Sequence, residues 1–142
     1  MNLQIGRSYL KLDLHRNLGG NPRAGIAPTR GGQVLIFSDP PSGTRFGYAE
    51  NDAVGGVIYR YTGEGQVGDQ TLIRGNKALL SGKDLLLFKR LDAKSWIFVG
   101  EVSLDSTPFE TAIAPDREGN LRTVLVFRFI AKNANFDLLI EG

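Results

Sequence analysis

The sequence predicts a mainly β fold of the α+β class, a curved sheet or partly open barrel with two short helices. Three observations predict it. Apolar runs of strand length, rich in Val, Ile, Leu and Phe, recur at residues 34–37, 57–62, 84–88, 95–102 and 123–130, separated by turn-forming or charged segments. Helical spacing of apolar residues is confined to two short stretches, 8–18 and 70–80. No fixed-period repeat or low-complexity block is present, and 142 residues suffice for one substantial core but not for two of ordinary size. Residues 1–142 therefore read as a single domain, with a helix and a basic Gly/Pro-rich arm at 1–33 and a β-rich core at 34–142.

In chain order, Ser8 is positioned to cap a helix that runs to about Leu18, where Gly19 and Gly20 stop it. His15 lies in this helix, and a lone histidine there reads as a surface or capping residue. The glycines, prolines and arginines of residues 19–33 do not sustain a regular element, so this segment is expected to be an ordered loop or a DNA-facing arm. A buried strand at 34–37 ends in the turn Ser38-Asp39-Pro40-Pro41-Ser42-Gly43. The next strand, 57–62, puts Val57, Tyr59 and Tyr61 on one face and Ile58 and Arg60 on the other. A strand tyrosine usually packs in a core, so one of Tyr59 and Tyr61 need not face a ligand. Residues 70–80 read as a short helix containing Gly75, Trp96 reads as core, Gly119-Asn120 marks a turn, and 136–140 reads as an edge strand or a docking tail.

Composition narrows the function classes. A hydrophobic content of 42% and a charged content of 23% are ordinary for a soluble globular chain. There is no apolar run near twenty residues and no signal-peptide pattern, so the expected setting is the cytoplasm, in association with the nucleoid, with no membrane partner. The absence of cysteine excludes disulfides and thiolate zinc sites, and one histidine makes a dedicated transition-metal site improbable. No metal or other cofactor is expected. The net charge of +2 is small but unevenly spread: Arg7, Lys11, Arg16, Arg23 and Arg30 precede Ser38 against the single acid Asp13. The early arm is therefore the candidate phosphate contact.

Chemistry concentrates at residues 46–77, which crowd aromatics, glycines and hydrogen-bonding side chains. Two tyrosines beside glycines and small polar residues can stack on both faces of a flat ring while its edge is read. Catalytic templates do not fit. There is no Gly-x-Ser-x-Gly elbow, no Walker-type loop and no HNH-like histidine cluster, and the glycine run 63–68 leads into Asp69 where a triphosphate cradle needs lysine.

The ordered set Phe37-Ser38-Asp39-Pro40, Gly47-Tyr48, Tyr61-Thr62-Gly63-Glu64-Gly65-Gln66, Gly68-Asp69-Gln70 and Asn76-Lys77-Ala78-Leu79 resembles the SRA domain, and within it the SRA-like domain of bacterial McrA-type HNH endonucleases. The likeness runs from about Gly19 to Ile130. It implies an SRA/PUA-like curved β-barrel that binds duplex DNA containing modified cytosine, 5-methyl or 5-hydroxymethyl, and flips the base. Tyr48 and Tyr61 would sandwich the extruded base, with Thr62 and backbone groups near Gly63 reading its edge. Many SRA domains carry an aspartate three residues after the first tyrosine. That position is Asn51 here, so either Asn51 reads the edge or the register slips and Asp52 does. A carboxylate only accepts and favours the cytosine amino group, whereas an amide also donates.

Arg23, Arg30, Arg45, Gln66, Arg74, Asn76 and Lys77 are the candidate backbone contacts. Eukaryotic SRA domains carry a long insertion after the Tyr-Thr-Gly, and only five residues separate Gly63 from Asp69 here. Whatever fills a vacated stack is then expected from the 19–33 arm, unless the space stays open. The resemblance implies the specificity module of a modification-dependent, type IV-like restriction endonuclease, with nuclease activity supplied by a fused or partner HNH domain. The competing class is a PUA-like RNA-binding module without enzymatic activity. An enzyme acting on a flipped base is disfavoured, because no nucleophile or base has a recognisable partner.

Overall fold

The computed structural model describes residues 1–39, the backbone of 46–48, and residues 56–140. Its elements in chain order are β1 (Ser8–Leu10), α1 (Lys11–Leu18), β2 (Ile26–Pro28), β3 (Gln33–Ser38), β4 (Phe46–Tyr48), β5 (Val57–Thr62), α2 (Arg74–Ala78), β6 (Asp84–Arg90), β7 (Ser95–Pro115), β8 (Leu121–Ala134) and α3 (Asp137–Ile140). The strands form one curved sheet in the order β2-β3-β6-β7-β8-β5-β4, with β1 pairing the start of β7. Among the described residues the sheet does not close into a barrel, and three short helices stand where the sequence suggested two.

The centre of the sheet is buried on both faces, which is why β3 and β6 read as unbroken apolar runs. They are parallel and in register from Gln33 opposite Asp84 to Ser38 opposite Lys89. Alternation sends Val34, Ile36, Leu85 and Leu87 into one cluster with Tyr59, Tyr61, Phe127 and Phe129. Leu35, Phe37, Leu86 and Phe88 enter a second cluster with Leu14 of α1. Trp96 packs edge-on against Phe37, with ring centroids 5.1 Å apart. Each fully buried Leu, Ile or Phe contributes about 1.5–3 kcal/mol.

Four expectations change for physical reasons. Ser8 does not cap α1: Ser8–Leu10 is a strand in register with Ile97, Trp96 and Ser95, and the helix begins at Lys11 behind an extended Leu10 with no side-chain cap. The 19–33 segment does carry a regular element, because β2 pairs antiparallel with Val34, Leu35 and Ile36. The helix expected over 70–80 shrinks to Arg74–Ala78, since Gln70 N donates to Thr123 O at 2.9 Å and holds that residue along β8. Of the two readings of 136–140, the edge strand gives way to the docking tail: Asp137–Ile140 form α3, with Leu139 docked in the core.

The strands expected at 95–102 and 123–130 are parts of a longer hairpin. Its register shifts between Leu104 and Phe109, so the polar residues that look like a strand end form a bulge inside β7. A buried ion pair spans that bulge. Arg128 Nη2 lies 3.1 Å from Asp105 Oδ2 and its Nη1 lies 3.3 Å from Glu110 Oε2, while Glu110 Oε1 also takes Arg60 Nε at 3.1 Å.

Candidate nucleic-acid interface

The candidate site is built around the loop that leaves β5 at Thr62 and runs to Asp69. Two buried amides fix its backbone. Asn76 Oδ1 accepts from Glu64 N at 2.7 Å, and Asn76 Nδ2 donates to Glu64 O at 2.9 Å and to Thr71 O at 3.0 Å. Gln70 Nε2 donates to Gly63 O at 2.7 Å and Gly65 O at 3.2 Å, while Gln70 Oε1 accepts from Leu125 N at 2.9 Å. Glycine is needed at 63 because a Cβ there would stand 2.6 Å from Asn76 Oδ1 and 3.1 Å from the Phe127 ring. Glu64 Oε1 accepts from Ile26 N at 2.8 Å, tying the loop to β2.

The far side of the loop is braced by the turn between β7 and β8. Arg117 N donates to Gln66 O at 2.8 Å, and Arg117 Nη1 donates to Gln66 Oε1 at 3.0 Å. Arg122 Nη1 donates to Gly65 O and to Gly68 O. Asp116 accepts from Gly68 N at 3.2 Å, and this bond, followed by those from Asn120 and Glu118, holds its carboxyl below the ordinary carboxylate value. Asp69 Oδ1 accepts from Thr123 N at 2.8 Å. The loop is therefore short, glycine-rich and fixed from both sides.

Between this loop and residues 23–25 lies a cleft of about 550 Å³ whose lining includes Arg23, Thr62, Gly63, Gln66, Arg117 and Arg122. The wall that carries Arg23 is held by Lys11, whose Nζ donates to Pro22 O and Ala24 O and sits 2.9 Å from His15 Nε2. His15 Nδ1 donates in turn to Gly19 O at 2.9 Å, an assignment that leaves Nε2 free to accept from the lysine. Burial, followed by the charge of Lys11, acts to lower the His15 pKa below its ordinary value, and that outweighs its backbone bonds. His15 thus fastens the arm: it is buried, which overturns the surface reading, and its bond to the carbonyl of Gly19 at the end of α1 fits the capping one.

The sequence-derived site residues separate on this geometry. Thr62, Gly63, Gln66 and Arg23 meet at the cleft. Tyr61 is 7% exposed, packs 5.7 Å from the Phe129 ring and donates its hydroxyl to Phe37 O at 3.2 Å, so its ring belongs to the core. Tyr48 is placed by register opposite Val57, four positions from Tyr61 along β5. Arg30 folds back on α1, its Nη2 donating to Asn17 O at 3.2 Å, and is not at the cleft. Asn76 is 2% exposed and occupied by the loop, which leaves it no reach to a phosphate. Arg74 and Lys77 are exposed on α2, and Arg74 has φ +48°. Arg45, Asn51 and Asp52 lie outside the described residues. Arg117 and Arg122 were not singled out from sequence: they flank a turn far along the chain, and only the pairing of Gln70 with Thr123 brings them to the loop.

The ScoMcrA-like SRA domain family matches this chain over residues 5–135. The chain belongs to that family. Solved structures agree on the SRA fold. The type IV phosphorothioation-dependent restriction endonuclease ScoMcrA superposes with a TM-score of 0.69 at 19% identity, covering 91% of this chain and 28% of that one. The SRA domain of SUVH5 in complex with hemimethylated CG DNA gives 0.61 at 17% identity, covering 95% and 92%. The modification-dependent restriction endonuclease TagI gives 0.59 at 17% identity, covering 93% and 50%. No curated protein matches the chain. The SRA domain described here thus corresponds to a little over a quarter of the ScoMcrA chain. Within it, the two buried amides and the β7–β8 turn hold a short loop rigid, a task for which a long loop would need its own packing.

Proposed function

We propose that this SRA domain reads modified cytosine, 5-methyl or 5-hydroxymethyl, in duplex DNA by drawing the base out of the stack. It serves as the specificity module of a modification-dependent restriction endonuclease whose HNH nuclease lies in a fused or partner domain. The observation that carries this reading is the match to the ScoMcrA-like SRA family across nearly the whole chain. The arrangement beside β5 supports it, because a rigid Thr62–Gly63 corner next to an arginine-bearing cleft offers both edge-reading groups and phosphate contacts.

In this reading Tyr48 stacks on the extruded base, and Tyr61, fixed in the core, anchors the strand that leads into the Thr62–Gly63 corner. Thr62 and the backbone near Gly63 address the base edge, together with Asn51 or Asp52. A rigid pocket matters because extruding a base costs a few kcal/mol, which contacts made without reorganisation must offset. Arg23 and Gln66 lie on the cleft wall and hold the strand, with Arg45, Arg74 and Lys77 as further backbone contacts.

The test is a competition titration of duplexes carrying one methylcytosine, one hydroxymethylcytosine or none, with structured RNA as a fourth competitor. A modified duplex is expected to win by roughly 5- to 150-fold, the equivalent of the ~1–3 kcal/mol of one aromatic–base stack. Equal affinity for all three duplexes would sink the reading, and a preference for the RNA would favour a PUA-like RNA-binding module.

A further inference from the structure

The cleft between residues 23–25 and the braced loop has properties that base reading does not use. It brings Arg23, Arg117 and Arg122 together with one carboxylate, Glu64, which already accepts from the Ile26 amide. Three guanidiniums line the cleft against one occupied carboxylate; Asp116, within electrostatic reach of Arg122, offsets part of that charge, and Arg23 and Arg117 leave the cleft positively charged. Gly65 and Gln66, on the loop that lines the cleft, have backbone N–H groups with no acceptor among the described residues.

The three arginines differ in how free they are to take a ligand. The Arg23 guanidinium has no partner among the described residues. Arg117 is exposed and its side chain is spent on a neutral amide oxygen, Gln66 Oε1. Arg122 uses Nη1 to brace Gly65 and Gly68, and its Nε is buried with no partner among the described residues. Arg23 therefore loses no internal bond to an incoming anion, and Arg117 exchanges a neutral acceptor for a charged one, which roughly doubles the strength of a hydrogen bond. Arg122 is a positioning residue that keeps the loop in place.

We infer that this cleft is a phosphodiester subsite, in which Arg23 and Arg117 grip one backbone phosphate of the bound strand from opposite walls. The inference rests on the proposed reading of the domain as a DNA binder and adds to it a second anchoring element, the β7–β8 turn. Because Arg117 N stays bonded to Gln66 O when the side chain turns to the phosphate, the turn that holds the phosphate also steadies the loop that carries Thr62 and Gly63. The subsite carries no sequence information. It fixes the register of the strand against the pocket.

The experiment uses the 142-residue chain with methylcytosine and unmodified duplexes over a range of salt. Arg117→Ala and Arg23→Ala are each expected to weaken both duplexes by the same factor and to flatten the plot of log K against log salt by about 0.9 per lost contact. A series of duplexes with one neutral methylphosphonate each locates the phosphate: one position should weaken the wild type and have no further effect in Arg117→Ala. Arg117→Lys should recover the salt slope. Wild-type protein that binds neither duplex overturns the reading of the domain and the subsite with it. A wild type that prefers the modified duplex, combined with variants that keep its full salt slope, overturns the subsite alone.

Discussion

Replacing Asn76 with alanine separates a buried brace from a DNA contact. The side chain is 2% exposed and makes three hydrogen bonds, two to Glu64 and one to Thr71. Truncation leaves one N–H and two carbonyls without their partner, at a net loss of about 1 kcal/mol per bond, so roughly 3 kcal/mol in all. With an unfolding entropy of about 2.1 cal/mol/K per residue, a chain of this length loses roughly 10 °C in melting temperature for that change. Lys77→Ala, at the exposed neighbour, should stay within about 0.5 kcal/mol. Asn76→Asp keeps the acceptor for Glu64 N but turns a carboxylate oxygen toward two carbonyls, so it should rescue nothing. Thermal melts followed by circular dichroism measure all three. An Asn76→Ala variant that melts within about 2 °C of wild type refutes the clamp, and one that melts normally but loses DNA restores Asn76 as a contact.

Two further outcomes follow from the geometry. The lowered pKa of His15 means that between pH 6.5, its ordinary value, and its lower folded value the unfolded chain binds the extra proton. His15 therefore costs no stability above pH 6.5, and stability falls as pH drops through that window. Melting temperature against pH should fall more steeply in wild type than in His15→Gln, and superimposable profiles would contradict this. Tyr61→Phe removes the bond to Phe37 O, keeps the ring in the core and should cost about 1 kcal/mol with the modified-base preference intact. Loss of that preference with normal stability would make the hydroxyl a reader of the base.

What could be read in advance depended on how local the cause was. β5 was legible to the residue because Tyr59 and Tyr61 alternate with Ile58 and Arg60, and β3 and β6 because burial on both faces makes them continuous apolar runs. Ser8 misled because its hydroxyl suits a cap, and only the pairing with Ile97 reveals a strand. The bulge in β7 misled in the same way, since Asp105 and Ser106 look like a strand end until Arg128 is found across from Asp105. At the site, the motif residues Thr62, Gly63 and Gln66 stood out by composition. The role of Asn76 did not, because an asparagine before a lysine on a short helix looks exposed. Arg117 was hidden for the complementary reason: its partner Gln66 is distant in sequence, and no spacing rule connects them.

The position of β8 in the sheet has a consequence for how the domain is made. Strand β5, which carries Tyr61 and leads into the braced loop, pairs with β4 on one side and with β8 on the other, and β8 is the last strand among the described residues. The bonds from Gly63 N to Leu125 O and from Gln70 N to Thr123 O likewise form only once the residues near Leu125 exist. The loop therefore assembles after nearly all of the domain has left the ribosome, through contacts of long sequence separation that close slowly. Until then β5 is an apolar strand without its main partner, prone to pair with another chain. Slower synthesis after Asp69 prolongs that exposure, and a truncation before Leu121 makes it permanent.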